Sequence, residues 1–140
     1  MYVSCVSRGW TRSLPDTSVI SVVDDDESSR IGITTLVRSL GFTARDFQSA
    51  LAFLQSPDLA GTSCVISDIQ MPEMGGFELL DNLRARGNNI PIIFITAFPS
   101  DKIHAQALAR GATSFLTKPF DGDALGRSLA AALKTNNQSN

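Results

Sequence analysis

Five short strand-like runs, all but the second apolar and each followed by a segment of helical periodicity, constrain the fold of this 140-residue chain more than any other feature. The runs lie near Val19 to Val23, Thr43 to Asp46, Cys64 to Ser67, Pro91 to Thr96 and Ser114 to Thr117. Apolar runs of this length alternating with helices predict a parallel sheet with helices on its faces. The run at Thr43 to Asp46 is the least apolar and is expected at a sheet edge. Pro91 to Thr96 is the most apolar and is expected to be central.

The helical segments carry their own signals. Ile33, Leu36, Val37 and Leu40 fall at i, i+3, i+4 and i+7, one face of a helix that begins at Asp26-Glu27-Ser28 and stops at Gly41. Leu51, Phe53 and Leu54 mark a second helix ended by Ser56-Pro57. Leu79, Leu80 and Leu83, flanked by Phe77, mark a third, ended by Gly87. A fourth spans about Asp101 to Arg110, before Gly111. The last runs from Asp121 to Lys134 with Leu125, Leu129 and Leu133 at i+4 spacing.

Composition narrows the class. At 43% hydrophobic, the chain has enough apolar material for one core and one domain, placed at residues 18–134. Twelve basic against 14 acidic residues argue against direct nucleic-acid binding. No apolar stretch is long enough to span a bilayer, so no membrane partner is expected. Cys5 and Cys64 fall in a polar leader and a core strand, which argues against a disulfide framework and favours a reducing, cytoplasmic compartment. Residues 1–17 lack the apolar stretch of a secretory signal and are expected to be a disordered leader or an over-long start. Residues 135–140 are expected to form a polar tail.

The polar residues that end the runs carry the chemistry. An open parallel sheet binds ligands beyond the carboxyl ends of its strands, where the strand order reverses. Asp24 and Asp25 end the first run, Asp68 the third, Thr96 the fourth, and Lys118 follows the fifth. If the first and third strands are neighbours, three carboxylates share one pocket. Two such charges about 4 Å apart repel by roughly 4 kcal/mol at an effective dielectric of 20. The cluster therefore calls for protons or a divalent cation, and Mg²⁺ fits an oxygen donor set. Asp25 is the expected direct ligand, with Asp24 acting directly or through water and the backbone carbonyl of Gln70 as a third protein ligand. Asp26 and Glu27 are read as a solvated helix start.

Asp68 is the candidate nucleophile. A metal-neutralised carboxylate attacking a phosphoryl group in line forms an aspartyl phosphate. By itself an Asp at a loop entrance is a common turn residue, and Thr96 or Lys118 alone would be an ordinary strand-end residue. Their joint placement carries the reading. The Thr96 hydroxyl would donate to a phosphoryl oxygen, and the Lys118 ammonium would balance its charge. His104 lies within a helix with no partner apparent from the sequence and is read as a surface or half-buried histidine.

Residues 18–134 resemble a receiver domain of the two-component response regulators. The resemblance rests on Val22-Val23-Asp24-Asp25-Asp26, on Ser67-Asp68-Ile69-Gln70-Met71-Pro72-Glu73-Met74-Gly75-Gly76, on Ile95-Thr96-Ala97 and on Phe115-Leu116-Thr117-Lys118-Pro119-Phe120. The motif spacing and Lys118-Pro119-Phe120 are most similar to receivers of the nitrogen-fixation regulator subfamily. It implies a flavodoxin-like, doubly wound α/β fold: a five-stranded parallel sheet of order 2-1-3-4-5 in a three-layer α/β/α arrangement. It also implies Asp68 as phosphoacceptor, a sensor histidine kinase as donor, Mg²⁺ or Mn²⁺ at Asp24, Asp25 and Asp68, and a cis Lys118–Pro119 bond. Thr96 and Phe115 match the family's switch residues. Phosphorylation would draw the Thr96 hydroxyl inward, let the Phe115 ring rotate toward the core, and alter the face of the fourth helix, fifth strand and fifth helix. A phosphotransfer protein or downstream effector would read that face, and homodimerisation on phosphorylation is a further implied outcome.

Three alternatives stay open at this stage. The chain could be a phosphoryl shuttle or sink in a relay. It could be a metal-dependent phosphatase of the haloacid-dehalogenase type, although that class places its nucleophile after the first strand and needs a cap domain. It could be a receiver-like interaction module without phosphorylation. Phe98, two residues past Thr96, is bulky and apolar beside the presumed water path, and slow loss of the phosphoryl group is expected.

Overall fold

The computed structural model describes residues 18–138. The expected leader falls outside these residues, as do the last two positions of the expected tail. The five strands are β1 (Val19–Val23), β2 (Thr43–Phe47), β3 (Cys64–Asp68), β4 (Ile92–Thr96) and β5 (Ser114–Thr117). The helices are α1 (Glu27–Ser39), α2 (Ala50–Gln55), α3 (Gly76–Ala85), α4 (Asp101–Ala109) and α5 (Gly122–Gln138). All pairings are parallel, in the order β2-β1-β3-β4-β5. This is the expected doubly wound 2-1-3-4-5 sheet.

Every residue of β4 is buried, as are the first four of β3, because helices cover both faces. The strand period of two divides their side chains between two layers. Ile20, Val22, Cys64, Ile66, Ile93 and Ile95 face α1 and α5, where they meet Ile33, Val37, Leu125 and Leu129. Val23, Val65, Ile92 and Phe94 face the other way and meet Phe53 and Leu54 of α2, Leu79, Leu80 and Leu83 of α3, and Ala107 of α4.

Several boundaries differ from the sequence expectation. β4 is an interior strand, but the middle of the sheet is β3. Hydropathy cannot rank the two, since both are covered on both sides. α2 has only six residues and passes at Ser56 into a 3-10 turn, Pro57–Gly61. Leu40 is the C-cap of α1 and 38% exposed, so the predicted apolar face ends one residue earlier. α5 continues four residues past Lys134 to Gln138.

Candidate functional site

The site forms where β1 and β3 lie side by side. Their register pairs Val22 with Ile66 and Val23 with Ser67, so Asp24 and Asp68 leave the two strands at the same level. Each Asp24 group has a partner. Its N–H donates to the Phe47 carbonyl at 3.1 Å, and Oδ1 accepts the Asp26 N–H at 3.0 Å. Asp26 in turn caps α1, its Oδ2 accepting the Ser29 N–H at 2.8 Å. The acidic turn is therefore rigid because a strand ends and a helix starts within three residues. Asp26 is the exposed N-cap of α1, which matches the expected solvated helix start.

Asp24 is fully buried, Asp68 is intermediate and Asp25 is exposed. One carboxylate oxygen from each lies within 4.8 Å of the others. Lys118 reaches this cluster from the far end of β5. Its Nζ donates to Asp24 Oδ2 at 3.2 Å and Asp68 Oδ2 at 3.3 Å, with 23% of its side chain exposed. The Lys118–Pro119 peptide bond is cis, as the resemblance implies. Asp68 Oδ1 accepts the Gln70 N–H at 3.1 Å.

The electrostatics follow from this packing. Burial raises the Asp68 carboxyl above its ordinary range, opposed by the Gln70 N–H and Lys118, while Asp24 pushes it further up. Burial would lower the Lys118 ammonium, but Asp24 and Asp68 outweigh it and hold the proton more tightly than usual. Three carboxylates against one ammonium leave two negative charges uncompensated. Hard oxygen donors with that charge suit a divalent cation of the Mg²⁺ type.

The structure thus brings Asp24, Asp25, Asp68 and Lys118 together. Thr96 lies on the neighbouring strand, one residue past Ile95, which pairs with Asp68. It is buried, and its Oγ1 accepts the Phe98 N–H at 3.0 Å. Phe98 itself is 69% exposed. Phe115 pairs with Phe94 across β4 and β5 and is half-buried, packed on the core layer beneath α4.

Two features beside the site were not apparent from the sequence. His104 is exposed, as expected of a surface histidine, but its ring stacks on Phe115, centroids 4.9 Å apart and planes 15° from parallel. Both line an open hollow of about 370 Å³ with Pro99, Ser100, Asp101 and Thr117. No sequence period links α4 to β5, so only the fold reveals the pair. Gly76 is the second. A Cβ there would sit 2.5 Å from the Asp68 carbonyl oxygen and 2.9 Å from the Phe94 ring. Its N–H donates to the Ile69 carbonyl at 2.8 Å. The absence of a side chain lets α3 start against the strand end that carries Asp68. The Gly75-Gly76 pair was a visible signal for close backbone approach.

The chain is similar to known proteins over most of its length. The profile of the response regulator receiver domain matches residues 20–130. The response regulator protein TodT of Pseudomonas putida is 38% identical over 117 residues, covering 84% of this chain and 52% of TodT. The transcriptional regulatory protein FixJ of Azorhizobium caulinodans is 33% identical over 120 residues, covering 86% of this chain and 57% of FixJ. The chain spans about half the length of the curated relatives it matches. Among solved structures, a response regulator receiver protein from Burkholderia phymatum superposes with a TM-score of 0.72 at 36% identity, covering 84% of this chain and 96% of that one.

Proposed function

The chain belongs to the response regulator receiver domain family, and on that premise we propose that it is a phosphorylation-dependent signalling switch with Asp68 as phosphoacceptor. The observation that carries this reading is the single Lys118 ammonium within 3.3 Å of Asp68 and 3.2 Å of Asp24, beside the carboxylate of Asp25. A turn-forming Asp needs no such company.

An Asp68 oxygen forms the new bond to phosphorus, and the bond from phosphorus to the donor imidazole of a sensor histidine kinase breaks. The electron pair returns to that nitrogen, which is protonated from solvent. Asp24, Asp25, Asp68 and the Gln70 carbonyl are the groups that would hold Mg²⁺ or Mn²⁺. When bound, such an ion offsets the charge of the carboxylates and of the phosphoryl oxygens. Gln70 N–H and Lys118 keep Asp68 oriented, and Lys118 is the cation that pairs with a phosphoryl oxygen. Thr96 keeps its own hydroxyl proton free to donate, because its oxygen is the acceptor from Phe98.

Phe115 is the second switch residue. Its half-buried ring, stacked on His104, is the outward state, and phosphorylation favours an inward one. The face of α4, β5 and α5 then changes for a phosphotransfer protein, a downstream effector or a second copy of the chain. Among the described residues no helix is long and apolar enough to cross a membrane, and a cytoplasmic setting suits a kinase partner. Incubation with acetyl phosphate and Mg²⁺, followed by intact-mass spectrometry, tests the core claim. The parent gains one phosphoryl group and Asp68→Asn gains none; equal labelling of both would overturn the assignment.

A further inference from the structure

We infer that Arg30 is a positioning residue for the cation-binding turn, setting how Asp24 and Asp25 are presented. The inference rests on the cation site proposed above. Arg30 lies in the first turn of α1, its side chain only 14% exposed. Nη1 donates to the Asp24 carbonyl oxygen at 2.8 Å, and Nε donates to Asp46 Oδ2 at 3.2 Å. One planar guanidinium thereby ties the end of β1 to the end of β2.

The carbonyl it holds belongs to the peptide that joins Asp24 to Asp25. That unit is planar, so fixing its oxygen fixes the direction in which the chain leaves Asp24 and enters Asp25. The rest of Asp24 is held independently, by Phe47, Asp26 and Lys118. Arg30 supplies the constraint on the side that faces Asp25. Its charge does not make it a simple competitor of the cation, because the guanidinium is paired with the Asp46 carboxylate. Orientation is what remains.

The two roles predict opposite signs. A group that only repels cations would, on removal, tighten their binding. A group that orients the ligands would weaken it, and loss of a partner behind a metal ligand typically lowers affinity about ten- to a hundredfold. Lysine keeps the charge but cannot bridge both acceptors with planar geometry. The test titrates Mn²⁺ into the full chain and reads free Mn²⁺ by electron paramagnetic resonance, for the parent, Arg30→Met and Arg30→Lys. The expected result is about tenfold or greater weakening in Arg30→Met and a smaller weakening in Arg30→Lys. Binding in Arg30→Met that equals or exceeds the parent's overturns the inference while leaving the cation site standing. A parent that takes up no Mn²⁺ overturns the site and the inference with it. Thermal unfolding without metal shows whether the variants fold. If Arg30→Met does not, Arg30→Lys decides: weaker binding supports the clamp and unchanged binding overturns it.

Discussion

Gly76 shows how much one missing carbon atom contributes to the site. It opens α3, where alanine would ordinarily be better by up to about 1 kcal/mol. Here a Cβ would press on the backbone of Asp68 and the ring of Phe94, groups that cannot swing aside. Overpacking of that kind costs roughly 1–3 kcal/mol, so the clash outweighs propensity. Gly76→Ala should lower the unfolding midpoint in a denaturant titration, whereas Gly61→Ala, whose Cβ meets nothing within 4 Å, is the neutral control. Equal midpoints would show that the close approach is not needed. Phe98 makes a different residue-scale prediction. Its side chain is 69% exposed while its N–H is fixed to Thr96. If the ring slows access of water to the phosphoryl group, Phe98→Glu and Phe98→Ala lose phosphate faster than the parent. Faster decay in the parent than in both variants rejects that role.

At the scale of elements, α4 is held less firmly than its neighbours. Only Ala107 of its nine residues is buried, whereas α3 buries Gly76, Leu79, Leu80 and Leu83. The helix meets β5 partly through the stack of His104 on Phe115. Aromatic pairs of this geometry contribute about 0.5–1.5 kcal/mol beyond their buried area. If the Phe115 ring switches between outward and inward states as proposed, His104→Ala removes that contribution from the outward state alone. The unphosphorylated protein should then shift toward the inward ring by roughly two- to tenfold, since 1.4 kcal/mol is tenfold. Fluorine NMR of protein carrying fluorophenylalanine at position 115 reports the populations. Identical spectra with and without His104 would remove it from the switch. The pairing also marks a limit of sequence reading. Both rings were visible in the chain, but their contact joins a helix to a strand that follows it.

For the molecule as a whole, Cys64 reports on cooperative stability. It sits in the central strand, fully buried between β1 and β4, and burial pushes its thiol up to about 12 from 9.0. A raised native pKa means the unfolded state loses its proton first. The stabilising contribution is whole below about pH 9 and is lost as pH rises toward 12. At pH 11 the loss amounts to about 3 kcal/mol. Stability of the parent should therefore fall more steeply above pH 9 than that of Cys64→Ala, measured by urea unfolding across pH. Parallel slopes would show that the thiol is accessible or ionises normally.

Much of this protein could be read from its residues in order. Alternating apolar runs and helices specify strands covered on both faces, because such strands tolerate few polar side chains. Asp24, Asp25, Asp68, Thr96 and Lys118 stood out because each ends or follows an apolar run. What the order of residues does not contain is distance across the sheet. That Lys118 spans two carboxylates, that Arg30 holds the peptide between Asp24 and Asp25, that Gly76 makes room beside Asp68, and that His104 lies on Phe115 were decided by tertiary structure alone. Local periodicity is written within one element, whereas these contacts arise only when separate elements are brought to the same sheet edge.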